Sequence, residues 1–164
     1  MKKLILIFCV FVLASCGDTD SSINNGADES ASNSATATLE AILDSQTDAM
    51  KKRYAFRNPK ETLEFFGIEP GMTVVEALPG GGWYTEILAI YMYDEGELIT
   101  APYSASLSDY AKRSREAFEA KLNSKDIYEK VKIVDLFGKL AENETVDAVL
   151  TFRNVHNWLG EDGS

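Results

Sequence analysis

The sequence is poor in the residues that build metal and disulfide sites: its 164 residues hold one histidine and two cysteines. Two cysteines make neither a disulfide framework nor a zinc cluster, so no metal site is expected. Bases are outnumbered, 16 Lys and Arg against 26 Asp and Glu, for a formal net charge of −10. That balance argues against a nucleic-acid partner, which selects a basic face. No apolar run reaches the roughly 20 residues needed to span a bilayer. What is present is one domain's length and a hydrophobic content of 45%, enough for a folded core.

The N-terminus is set apart from the rest. Met1-Lys2-Lys3 is basic, Leu4 to Ala14 is an apolar run of eleven, and Leu13-Ala14-Ser15-Cys16 follows. A basic start, a short apolar stretch and small residues at a cleavage point describe an export signal rather than a membrane span. Leu-Ala-Ser-Cys resembles the lipobox of bacterial lipoproteins. The resemblance implies a signal peptide over 1–15, acylation of the Cys16 thiol, and anchorage of the mature chain to a membrane. Gly17 follows the cysteine where that family places an Asp for inner-membrane retention, which favours the outer membrane and the periplasmic side of the cell envelope. Residues 17–38 are rich in Ser, Asn, Asp, Ala and Thr, with one Ile and no aromatic. Such a composition buries too little apolar surface to offset its ordering entropy, and it reads as a spacer. Without residues 1–15 the chain has 14 bases against 26 acids, a net −12, of which the spacer holds four acids. An acidic globular part argues against a strongly anionic substrate steered by net charge alone.

From Leu39 the pattern is that of a globular domain, expected over 39–164. Leu39, Ile42, Leu43, Met50 and Tyr54 predict a helix over about 38–55. Asn58 and Pro59 open a second, short helix with Leu63, Phe65 and Phe66, closed by Gly67. Strands are expected at 72–78, 97–101, 131–135 and 146–152. Helices are expected at 83–93 and at 107–130, the latter broken near Asn123-Ser124. Strand and helix in alternation predict an α/β fold with a parallel sheet.

The first strand runs straight into Pro79-Gly80-Gly81-Gly82 and then a helix. Glycines let a ligand approach the backbone, and the helix start offers unpaired N–H groups. Ligands of open α/β sheets bind beyond the carboxyl ends of the strands. Glu76, inside the strand, needs a partner for its carboxylate, either a ligand or the N–H groups of the loop. The loop has no Gly-Lys-Ser/Thr ending, so it is no P-loop. Thr85 stands where the third glycine of a dinucleotide fingerprint belongs, which also disfavours a nicotinamide cofactor.

Val74-Val75-Glu76-Ala77-Leu78-Pro79-Gly80-Gly81-Gly82 resembles the first motif of class I S-adenosylmethionine-dependent methyltransferases. The stretch from Val146 to Trp158 resembles the fourth strand of that fold and its following loop. The phrases FFGIEPGMTVVE, PGGGWYTEIL and FRNVHNW together resemble a group of bacterial predicted methyltransferases, many of them exported. The resemblance covers residues 38–160. It implies a Rossmann-like parallel sheet and S-adenosylmethionine as cofactor. Gly80, Gly81 and Gly82 would lie along the methionine part, with Glu76 bracing the loop or reaching the cofactor's amino group. Asp135 matches the acid after the third strand that holds the adenine amine, or else caps a turn. Two positions depart from the pattern. Leu78 replaces the first glycine of the loop. The second strand ends Thr100-Ala101-Pro102-Tyr103, without the acid that grips the ribose, leaving Tyr103 or Ser104 to meet the sugar.

Arg153, Asn154, His156, Asn157 and Trp158 bring polar groups to the expected mouth of the site. Arg153 and Asn154 are candidate cofactor contacts. His156, the only histidine, is a candidate general base or a structural residue of the loop. The sequence stops after about four strands of a sheet that has seven in that family, as a fragment or as a half domain, the fragment being the expectation. Together these features predict a lipid-anchored envelope enzyme that transfers methyl from S-adenosylmethionine to a small-molecule acceptor. The alternative is a non-catalytic lipoprotein that uses the fold as a binding module.

Overall fold

A computed structural model describes residues 37–158. The export signal, Cys16, nearly all of the spacer and the last six residues lie outside the described residues.

The N-terminal helix expected over 38–55 is three short ones. Thr38 caps α1 (Leu39–Ser45) by accepting the Ala41 N–H on its hydroxyl at 3.2 Å. Gln46 then turns extended, and Thr47 caps α2 (Asp48–Lys51) by accepting the Met50 N–H at 3.4 Å. A further turn leads to α3 (Tyr54–Arg57). Each Thr side chain competes for backbone N–H groups and so restarts the helix. The apolar periodicity survives the breaks, because Leu39, Ile42, Leu43 and Met50 are all buried. Asn58 adopts φ 41°, the left-handed conformation Asn tolerates, and Pro59 opens α4 (Pro59–Phe65) as its fixed φ favours. Of the apolar residues of that helix segment, Leu63 is buried, while Phe65 and Phe66 are exposed.

A four-stranded parallel sheet follows, in the order β3-β2-β1-β4. β1 (Thr73–Ala77) passes through α5 (Trp83–Tyr91) to β2 (Glu97–Ala101). α6 (Asp109–Leu122) and a 3₁₀ turn (Asp126–Tyr128) lead to β3 (Lys132–Ile133), with the break falling at Asn123 and Ser124 as expected. β4 (Ala148–Leu150) and α7 (Val155–Trp158) complete the described residues. Val75 sits between Ile99 on one side and Val149 on the other. β3 is shorter than expected, but its pairing runs on. The Val134 and Leu136 N–H groups donate to the Thr100 and Pro102 carbonyls, both at 2.9 Å. The α/β class and the parallel sheet are therefore as the alternation of elements predicts.

The two faces of the sheet have separate cores. Val74, Leu98 and Leu150 pack with Ile42, Ile87 and Leu88 of α1 and α5. Val75, Ile99 and Ala101 pack with Val134, Leu136, Leu140 and Val146. The chain leaves β1 toward β2 and β3, then returns to β1's other side as β4. That reversal opens a crevice at the carboxyl ends of β1 and β4, where ligands of such sheets bind.

Candidate functional site

The β1–α5 loop stands at the mouth of the crevice. Leu78 occupies the left-handed region at φ 53°, a conformation that costs an L-residue about 1 to 2 kcal/mol. Its N–H donates to the Ala101 carbonyl at 3.0 Å, tying the loop's start to β2. Gly82, at φ 70°, turns the chain into α5, and a Cβ there would stand 3.0 Å from Phe118 Cε2 of α6. Gly80 and Gly81 differ from it. A Cβ on either would meet nothing within 4 Å, and their N–H groups make no backbone hydrogen bond among the described residues. Packing therefore explains Gly82 and a left-handed φ of 58° explains Gly80, while Gly80 and Gly81 both leave bare backbone facing open space.

Two cavities flank this loop and share Leu78, Pro79, Gly80 and Asn154 in their walls. The first, of about 390 Å³, reaches over the end of β2 to Pro102, Tyr103, Arg115 and Asn157. The second, of about 480 Å³, lies toward α2 and α3 and is lined by Arg53, Arg57, Glu76, Tyr84, Arg153 and His156, among others. Both volumes suit a small molecule.

Glu76 is 2% exposed. Thr85, itself fully buried, donates its hydroxyl to Glu76 Oε2 at 2.6 Å. The carboxyl's partner is thus a side chain of α5, not the loop N–H groups. Burial pushes the Glu76 pKa up to about 7, against the Thr85 hydrogen bond and the fields of Lys121 and Arg57. The Thr85 that spoils a dinucleotide fingerprint is here the residue that satisfies the strand's acid.

Asn154 ties the two loops together. Its Nδ2 donates to the Leu78 carbonyl at 3.0 Å and to Thr151 Oγ1 at 3.0 Å, while the Thr151 hydroxyl donates to the Ala77 carbonyl at 3.0 Å. Arg153, just before it, holds φ 63°. His156 is exposed on α7 and lines the second cavity. Tyr103 lines the first cavity, and its ring lies 5.9 Å from that of Phe137. Asp135 lines neither cavity. Its carboxylate receives Arg115 Nη1 at 2.6 Å, and the same guanidinium reaches Glu119 at 2.7 Å and the Tyr103 carbonyl at 3.3 Å. Ser104 shares a hydrogen bond with Ser106 at 3.0 Å.

The structure thus brings Glu76, Gly80, Gly81, Arg153, Asn154 and His156 to the second cavity's walls or rim. Tyr103 faces the first cavity, which Gly80 and Asn154 also line. Gly82 and Asp135 are engaged in packing and an ion pair. Sequence reasoning passed over Arg53 and Arg57, although their spacing of four puts both on one side of a helical stretch. It also passed over Lys121, whose ammonium bonds the Gly82 carbonyl at 2.7 Å and Glu86 at 3.0 Å, bracing the loop from α6. Among the described residues no group of three or more His, Cys, Asp or Glu gathers as metal ligands would, and no helix is long and apolar enough to cross a membrane.

No family model matches the chain, and no curated protein sequence does. Among solved structures, a SAM dependent methyltransferase from Aquifex aeolicus matches with a TM-score of 0.50 and 18% identity, over 74% of this chain and 60% of that one. A protein-L-isoaspartate O-methyltransferase matches at 22% identity and a TM-score of 0.39, over 57% of this chain and 28% of that one. A cyclopropane-fatty-acyl-phospholipid synthase-like protein from Lactobacillus casei matches at 16% and 0.37, over 61% and 38%. The likeness to the Aquifex aeolicus structure is one of fold: this chain has the Rossmann-like parallel sheet expected of it and spans 60% of that protein's length.

Proposed function

We propose that this chain forms the S-adenosylmethionine-binding part of a methyltransferase acting on a small-molecule acceptor, held to the cell envelope through lipid on Cys16. The observation that carries the proposal is the pair Gly80 and Gly81, whose bare backbone opens beside the two cavities of the crevice. The shared fold with a SAM dependent methyltransferase supports it, and the first-motif resemblance around Glu76 points the same way.

The residues present fit such a cofactor at its methionine end. Gly80 and Gly81 offer unencumbered N–H groups, α5 begins two residues later with its own unpaired N–H groups, and Tyr103 walls the first cavity. When bound, S-adenosylmethionine supplies a methyl carbon on a sulfonium: the acceptor's lone pair bonds to it, the carbon–sulfur pair stays on sulfur, and any acceptor proton leaves to a base. In-line displacement of this kind rests on positioning, which the tied loops of Leu78 and Asn154 provide. Glu76 and His156 are the groups of the second cavity able to take a proton.

One observation favours the binding-module reading: among the described residues no carboxylate lines the first cavity, where a ribose would seek an acceptor. Calorimetric titration of the full chain with S-adenosylmethionine and with its demethylated product decides between the readings. Saturable binding of both, weakened by Gly81→Val, is expected. No binding at millimolar ligand overturns the cofactor assignment, and unchanged tight binding in Gly81→Val overturns the role of the loop. Anchorage is checked by fractionation, where Cys16→Ser moves the protein from membranes to the soluble fraction.

A further inference from the structure

The second cavity holds three arginines without acidic partners. Arg53 and Arg57 come from the α2–α3 segment and Arg153 from the turn after β4, and all three line the same space. Among the described residues, none of these guanidinium groups has a carboxylate within ion-pair distance. The chain has 26 acids for 16 bases, so scarcity of carboxylates does not explain this. Among the described residues Glu76 is the one acid in the wall; it feels the Arg57 charge, but its hydrogen bond is with the Thr85 hydroxyl and no ion pair forms.

Arg57 is half-buried and held in place, while Arg53 and Arg153 are exposed at the rim. The Arg57 guanidinium lies 4.7 Å from the Trp83 ring centroid and 5.7 Å from that of Tyr84. Its own carbonyl accepts the Tyr84 hydroxyl at 2.9 Å and the Thr62 hydroxyl at 3.1 Å. Arg153 is presented from a left-handed residue at φ 63°, a strain that persists only where surrounding structure enforces it. Burial first, then repulsion from Arg53 and Arg153, lowers the Arg57 pKa, so the three charges act on one another. Trp83, in the same wall, carries a buried indole N–H with no acceptor among the described residues. A set of planar guanidinium forks selects an anion with several oxygens. Trp83, Tyr84 and Phe152 give the wall an aromatic side, with Tyr84 and Phe152 stacked at 3.6 Å, and Met50, Leu78 and Pro79 add aliphatic surface.

We infer that this cavity binds a small organic anion, a carboxylate or phosphate ester with an apolar body, and that this anion is the methyl acceptor. The second half of the inference rests on the function proposed above. The chain's overall acidity does not oppose it, because three guanidinium groups lining one cavity act at short range, whereas distant surface charge is screened by salt.

The test is calorimetric titration of the full chain with benzoate and with phenyl phosphate at low salt, without any methyl donor. Saturable binding is expected, weakened about tenfold by Arg57→Gln and by Arg153→Gln, as loss of a charged hydrogen bond implies. Arg113→Gln, on exposed α6 surface outside the cavity, leaves it unchanged. Thermal melts confirm that each variant is folded, and the two arginines sit on different elements, so one local disturbance cannot mimic both losses. No saturable binding of either probe, or binding unaffected by both substitutions, overturns the anion site. Displacement of both probes by saturating S-adenosylmethionine assigns the arginines to the cofactor's own carboxylate and overturns the acceptor assignment. Probe binding with no S-adenosylmethionine binding upholds the anion site and overturns the acceptor assignment together with the proposed function.

Discussion

Thr85 donates its hydroxyl to Glu76 across 2.6 Å, and both side chains are buried between β1 and α5. One hydrogen bond does not compensate the desolvation of a carboxylate. The consequence is a site acid whose charge changes near neutrality.

Stability should therefore depend on pH in an unusual direction. The Glu76 pKa rises from 4.5 to about 7 on folding, so the folded state holds this proton more tightly than the unfolded one. The penalty is absent below the unfolded value, grows as pH rises from there, and is complete above about 7. The gap corresponds to about 3 kcal/mol. Glu76→Gln keeps an acceptor for Thr85 and removes the charge. It should raise stability at pH 8 by that order and change it little at pH 4, as read by urea melts at both values.

Gly81 and Gly82 are neighbours with opposite expectations. Gly82→Ala forces an L-residue into φ 70° and brings its Cβ to 3.0 Å from Phe118, at a cost of about 1 to 3 kcal/mol. Gly81→Ala meets nothing and leaves the melting temperature unchanged or slightly higher, while reducing S-adenosylmethionine affinity. Paired thermal melts and titrations check both halves.

Lys121 links α6 to the loop and to Glu86. Burial alone would raise the Glu86 pKa, but hydrogen bonds from Lys125 and Lys121 outweigh it and hold the pKa below the usual range. This contribution is present above the unfolded pKa and fades as pH falls toward the folded one. Lys121→Met should cost about 1 to 3 kcal/mol at pH 7, and less in acid, where Glu86 is protonated in both states.

Asn154→Ala cuts the tie between the loops after β1 and β4. The Leu78 carbonyl and the Thr151 hydroxyl each lose a donor, for about 1 to 2 kcal/mol in a denaturant melt. Hydrogen exchange at residues 78–82 should quicken at the same time, while the strands stay protected.

Much of this arrangement was legible in the residues. The β-branched run 72–78, the glycines after Pro79 and the helical pattern 83–93 match β1, the loop and α5 to within two residues, because local pattern and tertiary role agree there. The split of the first helix was not legible, since Thr47 reads equally well inside an amphipathic run or as a cap. Thr85 read as a missing glycine because its partner is a strand residue that only packing brings beside it. Asp135 read as the acid for an adenine amine or as a turn cap, because the Arg115 that takes it belongs to another element. The arginine cavity was least visible of all. Arg153 read as a candidate cofactor contact, but Arg53 and Arg57 read as ordinary surface residues, and only the return of the chain as β4 brings Arg153 to the same cavity.

The bonds that join Thr151 and Asn154 to the carbonyls of Ala77 and Leu78 span 74 and 76 residues of chain. β1, α5 and β2 meet through much shorter loops, and long closures carry the larger entropic cost. Closure of the crevice is therefore expected to follow assembly of β1, α5 and β2. Substitutions at Asn154 or Thr151 will accordingly speed unfolding more than they slow folding, and binding of any ligand in the crevice acts on the last step of the molecule's assembly.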